Sequence, residues 1–570
     1  AIQGKAALVR AEVLVSEQKL DLARAQLLRA RSKFQATRRE MASATRFLPF
    51  VRDLPVVRTQ IRGVETLAEA GLVLTDAGIS LSDAASVIVE PRDNSPSLSN
   101  ALSELRTIRG LLATGLTSID AAAATVDQLE GAFLPGPVGR ARSQFRQRLP
   151  EIRQRAADSE EALAAMITFV GGNGPRSYLF LSQNPDEVRP TGGFIGTYGV
   201  VTGTGGKLAI DRFEPIESWI LGHPDAIATP EELAGPFRHD RRLSQRIANA
   251  NAVPDWPQSA ELAARLWARG EEEPVDGVIS FTPAFLARIL LVTGPVQVAE
   301  YSEVVTAQNL IERLDFYTHQ QPALGADRKD FIAVLARVVM DRLLGAPTSQ
   351  WAALGKVVGD AFEAREAMAW STDPEVASVL AERRWDSAMP AVAGDFVYPA
   401  EFEYSAKNGR ALRRTYRHHV QLHPDGSGTV TTSVRIVNGD PPDRNSNPAN
   451  GLDFITMYGP QGATLGGGSD PLGIIEPPLA GHPAVAWFRP LEPQSETSVT
   501  VAWNVPQLIR RLPDGNWEYS LLWMRHPDHT GDVLQLTFEL PRGWEWDGTP
   551  PPGEVALVAD VSGKWVLAED

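Results

Sequence analysis

A chain of 570 residues is too long for one compact core and points to two to four domains. Its 43% hydrophobic and 22% charged content is globular rather than disordered, and 70 acidic against 55 basic residues leave a net charge of −15. That balance excludes bulk attraction to nucleic acid or anionic lipid, so phosphate binding would need a local arginine cluster; the absence of cysteine excludes disulfides, thiolate metal sites and a cysteine nucleophile.

Residues 1–170 read as helix almost throughout. Val13, Leu20, Leu27, Phe34 and Met41 recur every seven residues, with Ala23 and Ala30 on the neighbouring rung, a coiled-coil-like stripe. Breaks at Pro49–Pro55 and Pro91–Pro96 frame a second helix around Val64–Ile88. A third carries Leu98, Leu102, Leu105, Leu112, Leu116, Ile119 and Val126 on one face; a fourth, after Pro135–Pro137, carries Phe145, Leu149, Ile152, Leu163 and Met166. Four helices joined by Pro-rich turns predict a bundle or an elongated stalk, and a homo-oligomer formed through it. No run of about 18 uncharged apolar residues occurs, so none of these helices reads as a membrane span. The chain opens at Ala1 without Met, already inside a helical pattern, and the expectation is that a further segment lies upstream.

Gly171–Pro175 is a linker by composition, and the pattern changes after it. Tyr178–Ser182 and Phe194–Val201 read as strands, and the Gly-rich turn Thr202–Lys207 leads into Leu208–Phe213 as a hairpin. Helical patterns follow at Arg242–Asn249 and Ser259–Arg269, then a strand at Gly277–Phe281 and helices at Pro283–Leu291 and Asp327–Leu344. Strands interleaved with helices predict an α/β layered domain over 171–393.

From residue 394 the period becomes two. Val430, Thr432, Val434 and Ile436 alternate, as do Val499, Val501, Trp503 and Val505, and Leu534, Leu536, Phe538 and Leu540. With turns at Asp425-Gly426 and Asp514-Gly515, residues 394–570 predict a β-sandwich of immunoglobulin-like type. His418 and His419 fall on opposite faces of one strand with no carboxylate close in sequence, which argues against a metal site there.

Chemistry is most readable in Tyr178–Val201. A buried strand runs into a polar loop holding Asp186, Glu187 and Arg189, then turns at Thr191-Gly192-Gly193 into a second strand. Two carboxylates beside a guanidinium suit Mg²⁺ and a phosphate held together, because Mg²⁺ takes one or two carboxylates plus phosphate oxygens and arginine offers a two-pronged donor fork. The competing reading is a solvated turn with internal ion pairs. Arg238-His239-Asp240-Arg241-Arg242 reads as a solvated charge run, Asp255 as a helix N-cap, and Asp276-Gly277 as a turn before a strand. Arg328 and Lys329 open a helix whose N-terminal dipole favours an anion. A serine-hydrolase reading lacks a Gly-x-Ser-x-Gly elbow.

Gln183-Asn184 followed by Arg189-Pro190-Thr191-Gly192-Gly193-Phe194-Ile195-Gly196 resembles the signature of a bacterial surface family of unknown function (DUF4012 type). The resemblance continues at Asn249-Ala250-Asn251, Pro254-Asp255-Trp256-Pro257, Val275-Asp276-Gly277-Val278-Ile279 and Thr293-Gly294-Pro295-Val296. It extends more weakly to Gly394-Asp395-Phe396 and Lys407-Asn408. That family is in turn distantly similar to the LytR–CpsA–Psr phosphotransferases. Arg189-Pro190-Thr191 occupies the place of their Arg-x-Asp-Thr element, with Thr191 where a metal-binding Asp would stand; Ala326–Asp330 and Val292–Val296 occupy two others.

The resemblance implies an extracytoplasmic cell-envelope protein, anchored to the membrane by an N-terminal segment before Ala1. It would bind, and if active transfer, a polyprenyl-diphosphate-linked glycopolymer onto the cell wall. Arg189, Thr191, Arg328 and Lys329 would hold the diphosphate, Asp186 or Glu187 would place Mg²⁺, and Arg189 with Asp186 would carry catalysis. The alternative is a non-catalytic surface scaffold or assembly module with a degenerate α/β domain. The fold expected is therefore multidomain α+β: a helical bundle or stalk (1–170), a LytR–CpsA–Psr-like α/β domain with a helical extension (171–393) and an immunoglobulin-like β-sandwich (394–570).

Overall fold

The apolar period of the N-terminal segment is realised as helices α1 (Ile2–Ser16), α2 (Leu20–Phe47), α3 (Pro55–Val89), α4 (Leu102–Asp127) and α5 (Pro137–Phe169). The computed structural model describes residues 2–17, 19–47, 55–89, 102–134, 136–229, 232, 246–317, 327–404, 407–441, 452–527, 529 and 531–569. Pro55 and Pro137 open α3 and α5, positions where the missing proline N–H has no intrahelical partner to lose. Among the described residues no helix is long and apolar enough to cross a membrane.

One expectation is corrected here. The heptad stripe from Val13 to Met41 is not one continuous helix: it is cut between Ser16 and Leu20, and α1 packs back along α2. Ala11 and Leu14 turn inward instead, leaving Val13 47% exposed. Phe34 is the fulcrum. It clusters with Ala30 and Ala68, with Ala7, Leu8 and Leu72 packed around it. A Cβ on Gly71 would stand 2.6 Å from its ring and one on Gly4 3.0 Å, so the helices close on this phenyl group through glycine. These helices form one compact unit with Gly203–Ala209 and Leu344–Ala353; the rest of the chain forms a second.

The following segment alternates strands and helices. In chain order they are β1 (Arg176–Asn184), β2 (Phe194–Thr204), β3 (Lys207–Pro215), α6 (Ile216–Gly222), α7 (Trp256–Glu271), β4 (Gly277–Phe281), α8 (Pro283–Thr293), β5 (Val296–Val298) and β6 (Glu303–Val305). Then come α9 (Leu310–Asp315), α10 (Asp327–Leu344), α11 (Trp351–Glu363), β7 (Ala367–Ser371) and α12 (Pro374–Glu382). The helix expected over Arg242–Asn249 is represented by a short 3-10 turn at Ile247–Asn249; residues 242–245 lie outside the described set.

The sheet order is β3-β2-β1-β4-β7, with β1 and β4 parallel from Tyr178↔Gly277 to Ser182↔Phe281. The chain leaves β1 towards β2 and β3, then crosses back to β4, so the order reverses at this parallel pair. Leu179, Leu181, Val278 and Phe281 are buried, as strands covered on both faces require.

Strands dominate the remainder: β8 (Asp395–Tyr404), β9 (Leu412–Leu422), β10 (Gly428–Asn438), β11 (Leu452–Tyr458), β12 (Thr464–Gly468), β13 (Gly473–Leu479) and β14 (His482–Pro490). They continue as β15 (Glu496–Val505), β16 (Ile509–Arg511), β17 (Trp517–Trp523), β18 (Val533–Glu539), β19 (Trp544–Asp547), β20 (Glu554–Ala556) and β21 (Val561–Glu569). One sheet runs β12-β15-β10-β9-β18-β20 and another β13-β14-β11-β8-β17-β21-β19, with β16 beside β17. The period-two sets read from the sequence face each other across the ladder, Val430 opposite Trp503 and Val434 opposite Val499.

The second of these sheets is covered on both faces. Val397, Ile455, Trp487 and Trp523 join a core with Val420, Val434 and Leu534 of the first sheet. Phe396, Tyr398, Phe402 and Phe454 cluster instead with Leu179, Leu181 and Ile195 of the α/β sheet. Residues 171–393 and 394–570, read as separate segments, thus share a core. The chain is a mixed α+β protein, helical at its N-terminus and rich in strands towards its C-terminus.

Candidate functional site

The loop after β1 is folded on itself by local polar bonds. Asn184 Oδ1 accepts the Asp186 amide (3.1 Å), an Asx turn, and the Phe194 amide closes the loop onto the Glu187 carbonyl (2.8 Å). Gly192 takes φ 128°, a backbone region that disfavours any Cβ, and a Cβ on Gly193 would stand 2.2 Å from the Asn184 carbonyl group. The Thr-Gly-Gly turn is therefore demanded by close backbone approach.

Arg189 lies inside this loop, 3% exposed. Its Nε and Nη2 donate to Asn249 Oδ1 (3.2 and 3.1 Å), and Nη2 also reaches Glu187 Oε1 (2.9 Å). Nη1 donates to the carbonyls of Val188 and Glu403 (both 2.8 Å), and the guanidinium plane lies 4.0 Å from the Phe402 ring centre. Every nitrogen of the fork is engaged within the protein. Burial pushes the guanidinium below its ordinary value, and Glu187 pulls it back.

A second knot lies beside it. Gln183 Oε1 accepts from Thr191 Oγ1 (2.9 Å), the Gly193 amide (3.1 Å) and Asn251 Nδ2 (2.9 Å). Asn251 Nδ2 also bonds Thr191 Oγ1 and the Gly193 carbonyl. Asp255 caps α7 as the sequence predicts, accepting the Gln258 amide, and with its other oxygen accepts the Met389 amide (2.8 Å). Tyr398 of β8 donates to the Pro190 carbonyl (2.7 Å). The sequence blocks around Gln183, Arg189–Gly193, Asn249–Asn251 and Asp255 thus converge, and what they build is a polar joint between the α/β sheet and β8. Thr191 is buried in that joint with its hydroxyl engaged.

On the outer side of the joint, at the carboxyl end of β1, is a crevice of about 180 Å³. Its wall includes Gln183, Asp186, Glu187, Phe194, Glu217 and, from the chain after β8, Lys407 and Arg410. The Gly409 amide donates to the Asp186 carbonyl (2.9 Å), which brings Arg410 to 3.3 Å from the Asp186 carboxylate. Open α/β sheets offer ligand crevices at the carboxyl ends of strands where the strand order reverses, and this one lies at such a point. A larger open hollow of about 470 Å³ on the helical unit is lined by residues such as Arg140, Ser143 and Gln144 and holds no acid–base cluster.

The residues expected to act together are therefore distributed. Asp186, Glu187, Arg189 and Thr191 share one loop, but Glu187 is tied to Arg189 and Asp186 faces Arg410. A Mg²⁺ at these carboxylates would share them with both arginines, and among the described residues no group of three or more His, Cys, Asp or Glu side chains is disposed to hold a metal. Arg328 and Lys329 begin α10, but their side chains, like the run Arg238–Arg242, lie outside the described residues.

Two features went unread in the sequence. His418 does have a carboxylate: its Nε2 lies 2.8 Å from Asp395 Oδ2, which also accepts Tyr519 Oη (2.7 Å), and its Nδ1 meets Thr432. Sealed from solvent, this trio is a structural cluster inside the strands; His418 and Asp395 stand 23 residues apart and Tyr519 and Asp395 124 apart, so no local spacing signals it. Lys407 and Arg410 were also missed as site residues; the weak Lys407-Asn408 block was their one signal.

Residues 173–317 match the model of a family described as a protein of unknown function (DUF4012). The match includes the Arg189 loop, Asn249, Asn251 and Asp255, and so covers most of the joint. No curated protein matches the chain.

Proposed function

We propose that this chain is a non-catalytic assembly module of the extracytoplasmic cell envelope. In this reading the α/β segment is a degenerate relative of the LytR–CpsA–Psr domain, the strand-rich segment is an immunoglobulin-like sandwich, and a segment upstream of Ala1 tethers them to the membrane. The observation that carries it is the engagement of Arg189. Phosphoryl transfer works by cations and a metal aimed at the substrate, whereas here the signature arginine binds Asn249, Glu187 and the Glu403 carbonyl. The motif then serves architecture. The test is turnover: the full chain, given Mg²⁺, a polyprenyl-diphosphate-linked glycan and a wall-polymer acceptor, is expected to release no polyprenyl phosphate. Release that depends on the intact chain would overturn the reading.

A second reading keeps the glycopolymer as ligand, bound and transferred at the crevice. It is favoured by the position of Lys407 and Arg410 on the crevice wall, where they would take the part expected of Arg189. At about 180 Å³ the crevice is small beside the roughly 300–1,000 Å³ of sites that enclose whole ligands, so a lipid tail would lie elsewhere.

A further inference from the structure

The net charge of −15 is unevenly spread. Residues 177–570 hold 51 Asp and Glu against 32 Lys and Arg, whereas residues 1–176 hold 19 against 23. Within that helical segment the cations gather again. Residues 24–62 carry ten Lys and Arg beside Glu40 and Asp53, and residues 136–155 carry six Arg beside Glu151. A local basic patch of this kind can attract an anionic surface that the whole chain would repel.

The fold brings the two stretches to one end of the helical unit. Arg24 of α2 meets Asp83 of α3 at 3.0 Å, and a Cβ on Gly71 would touch the Phe34 ring, so α2 and α3 run antiparallel and the end of α2 lies beside the start of α3. A Cβ on Gly63 would stand 2.8 Å from Leu134 and 3.0 Å from Val138, which sets the start of α5 at that same end. Arg29, Lys33, Arg38 and Arg39 are exposed along α2, as are Arg58 and Arg62 of α3 and Arg140 of α5. None of them has an ion pair among the described residues, whereas Arg24 and Arg31 bridge to α3 and Arg146 to Glu130. The other acids at this end are Glu40, Glu65 and Asp127, so unpaired cations outnumber unpaired acids.

Phe133 decides which anionic surface fits. It stands in the turn between α4 and α5, framed by Gly131 and Gly136, each at φ 71°, and is 73% exposed beside Leu134. A phenyl group held out in this way gains little from a soluble polyanion, but it gains from burial at the headgroup–acyl boundary of a bilayer. We infer that this end of the helical unit docks on an anionic lipid surface, with the cations of α2, α3 and α5 over the headgroups and Phe133 inserted between them. The contact needs no membrane-spanning helix and rests on neither reading of the crevice.

The test is co-sedimentation of the 570-residue chain with vesicles of phosphatidylcholine, alone or with about 30% phosphatidylglycerol, at about 0.05 and 0.5 M salt. Binding is expected to be ten-fold or more stronger on the anionic vesicles at low salt, and to vanish at high salt. Arg58→Gln combined with Arg62→Gln should weaken it about ten-fold or more, since each cation near such a surface contributes roughly five-fold. Both side chains are exposed and unpaired, so the thermal midpoint should not move. Phe133→Ser should weaken vesicle binding while leaving the binding of soluble polyphosphate unchanged. Equal binding to the two kinds of vesicle, or anionic binding untouched by the double substitution, would overturn the inference. Polyphosphate bound as tightly as the vesicles, with Phe133→Ser affecting neither, would also overturn it and name a soluble polyanion as the partner. The assay involves no glycan and no turnover, so these failures leave the assembly-module reading standing.

Discussion

Glu403 of β8 and Asp453 of β11 stand directly opposite one another on neighbouring strands, both buried. Burial pushes the Glu403 carboxyl up to about 8, with the Val188 amide opposing and repulsion from Glu187 adding to it; burial and the charges of Glu401 and Glu403 push Asp453 well above its ordinary value. An unfolded glutamate titrates near its ordinary 4.5, so between that value and about 8 the folded chain keeps a proton the unfolded chain has lost. Stability should therefore fall as pH rises across this window, with Asp453 adding to the decline in the same direction. Denaturant midpoints measured from pH 5 to 9 should show the decline, and Glu403→Gln should make it shallower. An unchanged slope in that variant would place the effect in other groups.

His526 and His529 work in the opposite direction. Their rings stack at 3.7 Å, buried. Burial pushes both well below the ordinary 6.5; His529 lowers His526 further, and Arg414 and Arg525 lower His529. Here the unfolded chain binds protons that the folded chain refuses, so stability is full above about 6.5 and lost as pH falls below it. NMR titration of the imidazole signals should find both rings neutral at pH 6 in the folded protein. A ring that charges with an ordinary midpoint would contradict this.

These groups also mark where sequence reasoning stopped. The apolar periods named helix and strand correctly because burial on one face dictates them, and Asp255 was legible as a cap because capping is local. The break at Ser16–Leu20 was not, because a seven-residue repeat continues arithmetically through a turn. Arg189 was legible as important but not in its role. Its acceptors are Asn249, 60 residues away, and the Glu403 carbonyl, 214 away, and no local rule tells a fork aimed at phosphate from one aimed at backbone. Lys407 and Arg410 reach the crevice through the Gly409–Asp186 bond, which is a tertiary fact.

Arg414 and Glu401 form a sealed pair, Nε and Nη2 reaching both carboxylate oxygens at 2.6–3.0 Å. Arg414→Met would leave Glu401 buried without its counter-ion, at a cost of about 3–5 kcal/mol. Glu401→Leu combined with Arg414→Met removes both charges and, with Asp532→Asn added because Arg414 also faces that buried carboxylate at 4.0 Å, should recover much of that loss. Urea midpoints of the wild type, the single variant and the triple variant decide it. If the triple variant is no better than the single, packing rather than charge is what Arg414 contributes.

Gly193 offers the sharpest test of the joint, because the objection to a side chain there is space alone. Its φ lies outside the left-handed region that favours glycine, yet a Cβ would fall 2.2 Å from the carbonyl carbon and oxygen of Asn184. Those are backbone atoms beside Gln183, whose Oε1 holds the Gly193 amide, so relief by a rotamer change is closed. Gly193→Ala should cost at least the ~1–3 kcal/mol of overpacking and release the Thr191–Gln183–Asn251 knot with it. Gly196→Ala, three residues on, is the matched control: its Cβ meets nothing nearer than 3.9 Å and should change stability by under about 1 kcal/mol. Thermal melts compare the two. Equal effects would mean that the loop yields freely, and with it the view of Arg189 as a fixed internal staple would fail.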